Sequence, residues 1–391
     1  MAIVATHPIQ YYAPWFRWMA AQFPVPLRVF YLDRPDARGG YDQEFGQAVQ
    51  WDTPLTEGYP MEWVPNLARD PGAHHYAGLN NPDLWPRVAR FRPALTLLLG
   101  YRYRSLLPAL LLRRLPGPTV LRGDSHLLDR QRSLGRWLSD RVVRRAFSSL
   151  GGALYVGRHS RAYFRHHGLP ADRLFASPAA VDLNHFSALE RVQQAAAELR
   201  LKWRIPPDHR VVLFVGKLVP RKEPALLTRA FLAANLANTS LVFAGTGELS
   251  GEIASIAGGA DSVRIVGFHN QSLMPAVYRT ADLLVLPSTI ETWGLAVNEA
   301  FAVGVPALVS DSVGCAADLI EGRDTGRIFP AGNETALRDQ LSELLSQPDR
   351  LRRWGDNARL LVHEHFNYAA MTDGVTAAFK TLSEGALSDA G

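Results

Sequence analysis

Two carboxylates, Glu291 and Glu299, stand with seven residues between them in ETWGLAVNE, and two of the chain's four lysines, Lys217 and Lys222, fall in the single loop GKLVPRKEP. An apolar run, Leu283 to Leu286, followed by Pro287 and Ser288 puts Glu291 on a strand-to-helix loop. Thr292 to Gly294 then opens a helix that carries Glu299 about one and a half turns inside, so both acids face the same crevice. The unpaired amides of a helix start suit a bound anion. An acid farther along that helix can accept hydrogen bonds from vicinal hydroxyls such as those of a ribose. The spacing therefore predicts a nucleotide diphosphate ligand.

These residues must be positioned by a framework of strands. AIVAT, LRVFYL, ALTLLLG, TVLRG and GALYVG in the first half are short apolar runs alternating with helical stretches, the first of which passes through Trp15 and Met19. RVVLFVGK, SLVFAGTG, VRIVGF, DLLVLPS and PALVSD repeat that rhythm in the second half, with helices from Pro224 to Leu236, from Met274 to Ala281 and around Glu299 to Val303. The Pro/Gly/Asp-rich stretch from Asp33 to Pro86 reads as loops, and Ile205, Pro206 and Pro207 as a hinge. Leu351 to Leu382 predicts two or more helices, one of which crosses back to the first domain. The expected architecture is α/β: two Rossmann-like, doubly wound domains facing each other across a cleft, residues 1–200 and 201–365, with a C-terminal helix over 366–391. Neither half carries a Walker-type phosphate loop.

Composition narrows the partners. With 391 residues, 47% hydrophobic and 20% charged, the chain can build two sizeable cores. The opening MAIVATHP predicts no secretory leader, and no apolar stretch is long enough to span a bilayer. The lone Cys315 excludes an internal disulfide and any cysteine-cluster metal site, which suits a reducing cytosol. Residues 1–190 carry 23 basic and 15 acidic side chains, whereas residues 191–391 carry 19 and 22; residues 87–173 alone hold 18 arginines against four acids. In Arg130 to Phe147, Leu134, Trp137, Leu138 and Val142 share one helical face, Arg132 and Arg136 lie opposite, and Arg141 and Arg145 intrude on the apolar side. Such a helix suits an anionic membrane surface or an acidic acceptor, and equally the solvated face of an arginine-rich domain. Nucleic acid is not expected, because no recognition motif accompanies the charge.

Taken together, Glu291 and Glu299, the EAFAVGVP that follows, GKLVPRKEP, AGTGE from Ala244 to Glu248, VGF from Val266 and VDLNHF from Val181 resemble the retaining glycosyltransferases of family four, which have the GT-B fold. The motifs cover the second half densely, while the first half resembles the family in its βα layout and a few loops. The resemblance implies that Glu299 binds the ribose hydroxyls, that Glu291 touches the donor sugar, and that the amides around Gly294 and Leu295, with Thr292 and Trp293, receive the diphosphate. Lys217 and Lys222, in the loop opened by Gly216, correspond to the family's basic pair. Lys217 stands where an arginine is usual, keeping the charge and losing the forked guanidinium. Phe268 to Ser272 would hold the base through backbone groups. His126 would contact the donor sugar or diphosphate, although the register through Arg122 to Ser125 leaves Asp124 as the other polar group there. Arg158 would approach the phosphates. The family's glycine-rich turn after the first strand is replaced by Thr6 to Gln10, so His7, Gln10 and Asp124 become the acceptor-side candidates.

The chemistry implied is retaining sugar transfer from a nucleotide-diphosphate donor, a uridine diphosphate sugar before guanosine diphosphate mannose, to a hydroxyl of a lipid-linked or cell-envelope glycan. Two ammonium groups and a helix start can stabilise a departing diphosphate without a metal or other cofactor. A sugar-nucleotide epimerase or hydrolase of the same fold and a non-catalytic nucleotide-sugar binder are the other readings. The expected location is the cytoplasm, at the inner face of the membrane.

Overall fold

A computed structural model describes residues 1–34, 41–42, 47–48, 50–128, 134–186 and 189–388. In chain order the elements are β1 (Ala2–Ala5), α1 (Ala13–Gln22), β2 (Arg28–Tyr31), β3 (Tyr41–Asp42), β4 (Gln47–Ala48), β5 (Met61–Trp63), α2 (Leu84–Phe91), β6 (Thr96–Leu99), α3 (Leu107–Leu111), β7 (Thr119–Gly123), α4 (Leu134–Phe147), β8 (Gly152–Tyr155), α5 (Arg158–His166) and β9 (Leu174–Ala176). They continue as α6 (Leu183–Phe186), α7 (Leu189–Lys202), β10 (Arg210–Val215), α8 (Pro224–Ala234), β11 (Thr239–Ala244), α9 (Ser250–Ala257), β12 (Val263–Gly267), α10 (Met274–Arg279), β13 (Leu283–Leu286), α11 (Leu295–Ala302), β14 (Ala307–Ser310), α12 (Ala316–Leu319), β15 (Gly326–Phe329), α13 (Glu334–Leu345), α14 (Pro348–His365) and α15 (Tyr368–Ser388).

Two compact units result. The first comprises residues 1–40, 54–179 and 368–391, and the second residues 41–53 and 180–367. The first holds a seven-stranded parallel sheet in the order β5-β2-β1-β6-β7-β8-β9, the second a six-stranded parallel sheet in the order β12-β11-β10-β13-β14-β15. In both, the strand order reverses once, between β1 and β6 and between β10 and β13, which makes each a doubly wound sheet with a switch point where ligands bind beyond the strand ends. Strands such as Val211 to Phe214 and Leu283 to Leu286 are buried along their length, as a sheet covered on both faces requires. Among the described residues no helix is long and apolar enough to cross a membrane.

Several expectations are revised. The stretch from Asp33 to Pro86 contributes β5, which pairs with β2 as the edge strand of the first sheet, and α2. Helix α1 starts at Ala13 with Pro14 in its first turn. The chain enters the second unit at residue 180, before the expected boundary at 200. Helix α7 belongs there because it packs on α10, Arg279 Nε reaching Gln193 Oε1 at 2.7 Å. On α4, Trp137, Leu138 and Val142 face solvent, as a stripe meant for a surface would, and the helix is anchored by Val143, Ala146 and Phe147, a second apolar stripe that the sequence reading leaves out. Arg130 and Arg132 of that reading lie outside the described residues, as do the side chains of Leu134 and Arg136.

The final helix, α15, belongs to the first unit. Trp15 Nε1 donates to Thr372 Oγ1 at 3.0 Å, Ser177 Oγ donates to the Met371 carbonyl at 2.7 Å, and Phe23 meets Phe379 edge to face at 6.3 Å. Gly374 permits this seating, since a Cβ there would stand 2.1 Å from the carbonyl oxygen of Ala176 in β9. Alanine is better than glycine in a helix by about 0.5–1 kcal/mol, whereas overpacking costs about 1–3 kcal/mol. The clash is with backbone, so overpacking dominates. Gly374→Ala should therefore destabilise the chain by about 1–2 kcal/mol, read as a lowered urea midpoint; an unchanged or raised midpoint would mean that α15 does not rest on β9.

Candidate functional site

The loops after β10 and β13 leave the second sheet on either side of its switch point, and they carry the basic and acidic residues singled out above. The two loops are tied by backbone, with Thr289 N donating to the Arg221 carbonyl at 3.0 Å. Lys222 Nζ donates to Glu291 Oε2, and both side chains are largely withdrawn from water, at 15% and 13% exposure. Burying two charges is costly unless they meet. Here they do, and the sequence separation of 69 residues shows that only the tertiary fold brings them together.

Backbone contacts hold Glu291 in place. It forms an isolated parallel bridge with Val313, and its carbonyl accepts the Gly314 amide at 3.0 Å. Gly294, at φ +97°, caps α11, and a Cβ there would meet Val313 Cγ1 at 2.9 Å and Glu291 Cγ at 3.5 Å. Only glycine fits this turn, which delivers the first amides of α11, at Leu295 and beyond, beside the Glu291 stem. Thr292 is exposed next to it. Trp293 is not an open contact: its indole is buried, donates from Nε1 to Asn298 Oδ1 at 2.8 Å and packs against Phe366, so the ring anchors α11.

Lys217 is half-buried just past β10, following Gly216 at φ +142°. Its loop is seated by the turn after β11: a Cβ on Gly245 would lie 1.9 Å from the Gly216 carbonyl oxygen, and one on Gly247 2.4 Å from that of Leu218. The glycines of AGTGE thus allow two backbones to touch. Their role is to support the lysine loop.

Glu299 is 3% exposed. Tyr278 donates its hydroxyl to Oε2 at 2.5 Å, and Gln271 Nε2 to Oε1 at 3.4 Å. Desolvation raises its pKa from 4.5 to about 7, with the two hydrogen bonds pulling the other way. The VDLNHF segment supports this pocket, as His185 Nε2 donates to the Gln271 carbonyl at 2.8 Å and Phe186 packs near Tyr278 at 6.5 Å. Phe268 and the residues after it are half-buried beyond β12. The segment 50–53 clasps them: Asn270 Nδ2 donates to the Gln50 carbonyl at 2.6 Å, Asp52 accepts the Ser272 amide at 3.1 Å and its hydroxyl, and Trp51 meets Phe268 at 6.3 Å.

In the first unit, His126 is buried after β7 and its Nδ1 accepts the Leu128 amide at 3.3 Å, which places the ring hydrogen on Nε2. Asp124 is exposed two residues earlier and lines a cavity of about 190 Å³ with Tyr12, Gly100, Arg122, Ser125 and Tyr163. This cavity lies beyond the ends of β6 and β7, under Tyr163 and Phe164 of α5, with Tyr12 reaching it from the segment after β1. His7 and Gln10 are half-buried in the loop after β1, His7 Nδ1 lying 3.1 Å from Thr6 Oγ1. Arg158 is exposed as the first residue of α5.

Comparison with known proteins bears on these two sites. Residues 196–361 match the family model of glycosyl transferases group 1. The chain is 32% identical over 229 residues to a D-inositol 3-phosphate glycosyltransferase of Nocardia farcinica, covering 54% of this chain and 48% of that protein. It is 26% identical over 254 residues to an alpha-D-kanosaminyltransferase of Streptomyces kanamyceticus, covering 64% of each. The chain spans about half the length of the inositol phosphate glycosyltransferases it matches. Among solved structures, HepE of Anabaena in complex with UDP and glucose superposes with a TM-score of 0.70 at 16% identity over 97% of this chain and 99% of that one. A sucrose-phosphate synthase from Thermosynechococcus elongatus superposes with 0.70 at 18% over 98% and 99%. These likenesses show the fold, which is GT-B.

Within the matched region and beside it, several contributors escape a reading by motif. Tyr278 and Gln271 dress Glu299, and Trp51 and Asp52 dress the loop after β12 from some 220 residues away. No local pattern marks them. Arg122 carried a signal, being a charged residue closing an apolar strand. It is buried, donates to Ser177 Oγ and to the Ser177 and Pro178 carbonyls at 3.2, 3.2 and 3.3 Å, donates to Tyr12 OH at 3.1 Å, and lies over the rings of Tyr12 and Trp15.

The environment of Glu299 has a consequence for stability. The unfolded chain releases this proton near 4.5 and the folded chain near 7, so the ligand-free fold loses stability as pH rises across that interval. The isosteric Glu299→Gln removes the charge and its penalty: its one amide oxygen accepts from Gln271 Nε2, and its NH2 donates to the Tyr278 hydroxyl, which turns to accept. Its thermal midpoint should exceed that of the parent at pH 8, by an energy of at most about 3 kcal/mol, with the difference closing below the unfolded value. A variant less stable than the parent at pH 8 would contradict a carboxyl held neutral by burial.

Proposed function

We propose that this chain is a retaining, metal-independent glycosyltransferase that moves a sugar from a nucleotide diphosphate, uridine diphosphate first, to a hydroxyl of a lipid-linked or cell-envelope glycan. The observation that carries the reading is the half-hidden Lys222–Glu291 pair beside the glycine-capped start of α11. The similarity to named glycosyltransferases supports the reaction class, and a fold shared with HepE, solved with UDP and with UDP-glucose, supports the uridine donor.

In this reading each group has a task. The ribose hydroxyls donate to Glu299, which favours its ionised form, so donor binding releases a proton near neutral pH. Phe268 to Ser272, braced by Trp51 and Asp52, flank the base. The amides after Gly294 and the ammonium groups of Lys217 and Lys222 meet the diphosphate, where negative charge grows as the sugar–phosphate bond lengthens. Fixed donors in a site poor in water stabilise that charge without reorganising. Glu291 orients Lys222 and accepts from the sugar. The leaving phosphate takes the acceptor proton on the face it departs from, which conserves configuration. The acceptor lies on the first unit, near Asp124 and His126 and the cavity behind them.

The first unit also offers a surface for a lipid-borne acceptor. Trp137, Leu138 and Val142 of α4 and Leu112 after α3 are exposed, with Arg141 stacked on Trp137 at 4.7 Å, and Arg113, Arg114, Arg144 and Arg145 of the same two stretches of chain are exposed as well. Apolar anchors accompanied by arginine suit the interface of an anionic bilayer. Binding to phosphatidylglycerol vesicles should weaken with salt and with Trp137→Ala/Leu138→Ala; no salt-sensitive sedimentation with these anionic vesicles would remove the membrane component.

The reaction itself is tested by incubating the chain with a panel of sugar nucleotides. Slow donor hydrolysis should appear with one base, the nucleotide diphosphate should raise the thermal midpoint, and Lys222→Met or Glu291→Gln should lower turnover by about 10²–10³. Undiminished turnover in both variants would overturn the site, and binding without turnover across acceptors would make the protein a nucleotide-sugar binder instead.

A further inference from the structure

Away from both sites, the end of α5 brings His166 and His167 against Asp140 of α4. The His167 side chain is wholly buried, Asp140 is 25% exposed and His166 44% exposed. His167 stacks on Tyr163 with ring centroids 4.4 Å apart, and its Nδ1 lies 3.0 Å from the Tyr163 carbonyl oxygen. A carbonyl only accepts, so Nδ1 carries a hydrogen and Nε2 is the nitrogen left to coordinate. That Nε2 lies 3.3 Å from Asp140 Oδ1, and His166 Nε2 lies 3.4 Å from Oδ2. Adjacent residues of a continuous helix point in different directions. Here His166 is the last residue of α5 and His167 its cap, at φ −89° and ψ 11°, so the helix ends where both rings turn to one carboxylate.

We propose that Asp140, His166 and His167 bind a divalent transition-metal cation, zinc being the best match. A tetrahedral zinc with arms of about 2.0–2.1 Å separates its ligand atoms by about 3.3–3.4 Å; each imidazole nitrogen lies at that distance from one carboxylate oxygen, His167 from Oδ1 and His166 from Oδ2, so the ion would sit between the two rings with Asp140 turned to present one oxygen to it. The hydrogen bond from His167 Nδ1 to a backbone carbonyl is the outer contact that fixes a ligating imidazole. Two imidazoles and one carboxylate favour zinc over magnesium or calcium, which prefer oxygen alone. The exposed sides of His166 and Asp140 leave entry for the ion and a water.

The cation acts on structure. Helix α5 starts at the carboxyl end of β8 and runs back for nine residues, about 13 Å, so its last residue is at the far end from the strand termini that bear Asp124 and Arg158. The ion clips α4 to α5 and steadies the helix that displays Trp137. It takes no part in the transfer reaction, and the proposal stands or falls independently of it.

A second, more exposed cluster, Asp70, His74 and His75, must be silenced to test this. The full chain carrying His74→Gln/His75→Gln, stripped with chelator, is titrated with cobalt(II) and with zinc. The expected result is one equivalent bound with intense tetrahedral visible absorption, displaced by zinc, and a raised thermal midpoint. His166→Gln and Asp140→Asn, both at partly exposed positions, should each weaken binding by more than about 100-fold, beyond what outer-contact changes cost. Weak octahedral absorption, or isotherms unchanged in these variants, would overturn the site and leave an imidazolium–carboxylate contact in its place.

Discussion

The meeting of the Lys222 ammonium with the Glu291 carboxylate, at the mouth of a doubly wound sheet, is the constraint on which the second unit's active face depends. Two charges mostly removed from water are tolerable only if their separation is small and their approach is held by something stiffer than the side chains. The stiffness is supplied by backbone. The Thr289 amide fastens one loop to the other, the bridge from Glu291 to Val313 fixes the acid, and Gly245 and Gly247 let a neighbouring turn press against the residues around Lys217. Each of these contacts lies beyond the carboxyl ends of β10, β11, β13 and β14, where the parallel strands deliver their loops to one edge.

The two glutamates of one motif live in opposite surroundings. Glu291 is ion-paired near the rim; Glu299, deeper on α11, is dressed by a phenol and an amide, and burial raises its pKa to about 7. Two like residues close in sequence thus acquire different protonation behaviour from their environments alone. A carboxyl near the neutral state is unfavourable to an empty fold at high pH and favourable to a ligand rich in hydroxyl donors. Stability and recognition therefore pull against each other at this residue.

Much of this was visible in the residues themselves. Ten apolar runs became strands because buried parallel strands need little beyond a short stretch of Val, Leu, Ile or Phe bounded by turn residues. Besides the two-residue β3 and β4, the strands of the two large sheets that escaped, Met61–Trp63, Leu174–Ala176 and Gly326–Phe329, are three or four residues long or interrupted by charge and glycine. They are sheet edges, where one side need not be covered. On α4 the stripe of Trp137, Leu138 and Val142 was legible and is exposed, as a surface-facing stripe would be; what the sequence did not reveal is that Val143, Ala146 and Phe147 form a second apolar stripe that fills the core. Asp52 and Trp51 were invisible because their partners are more than 200 residues distant.

What the sequence by itself determined was local: the strand and helix rhythm, the glycine at the cap of α11, Glu291 and the pair of lysines on loops that follow strands with Glu299 inside the next helix, and the basic bias of the first half. Tertiary structure alone decided which lysine meets which acid, that Glu299 is the buried one, that α7 sides with the second unit and α15 with the first, and that residues 50–53 brace the loop after β12. The reason is physical. Backbone preference and periodicity act over a few residues and can be read in a window, whereas desolvation and pairing depend on every group that packing brings within a few ångströms, wherever it stands in the chain.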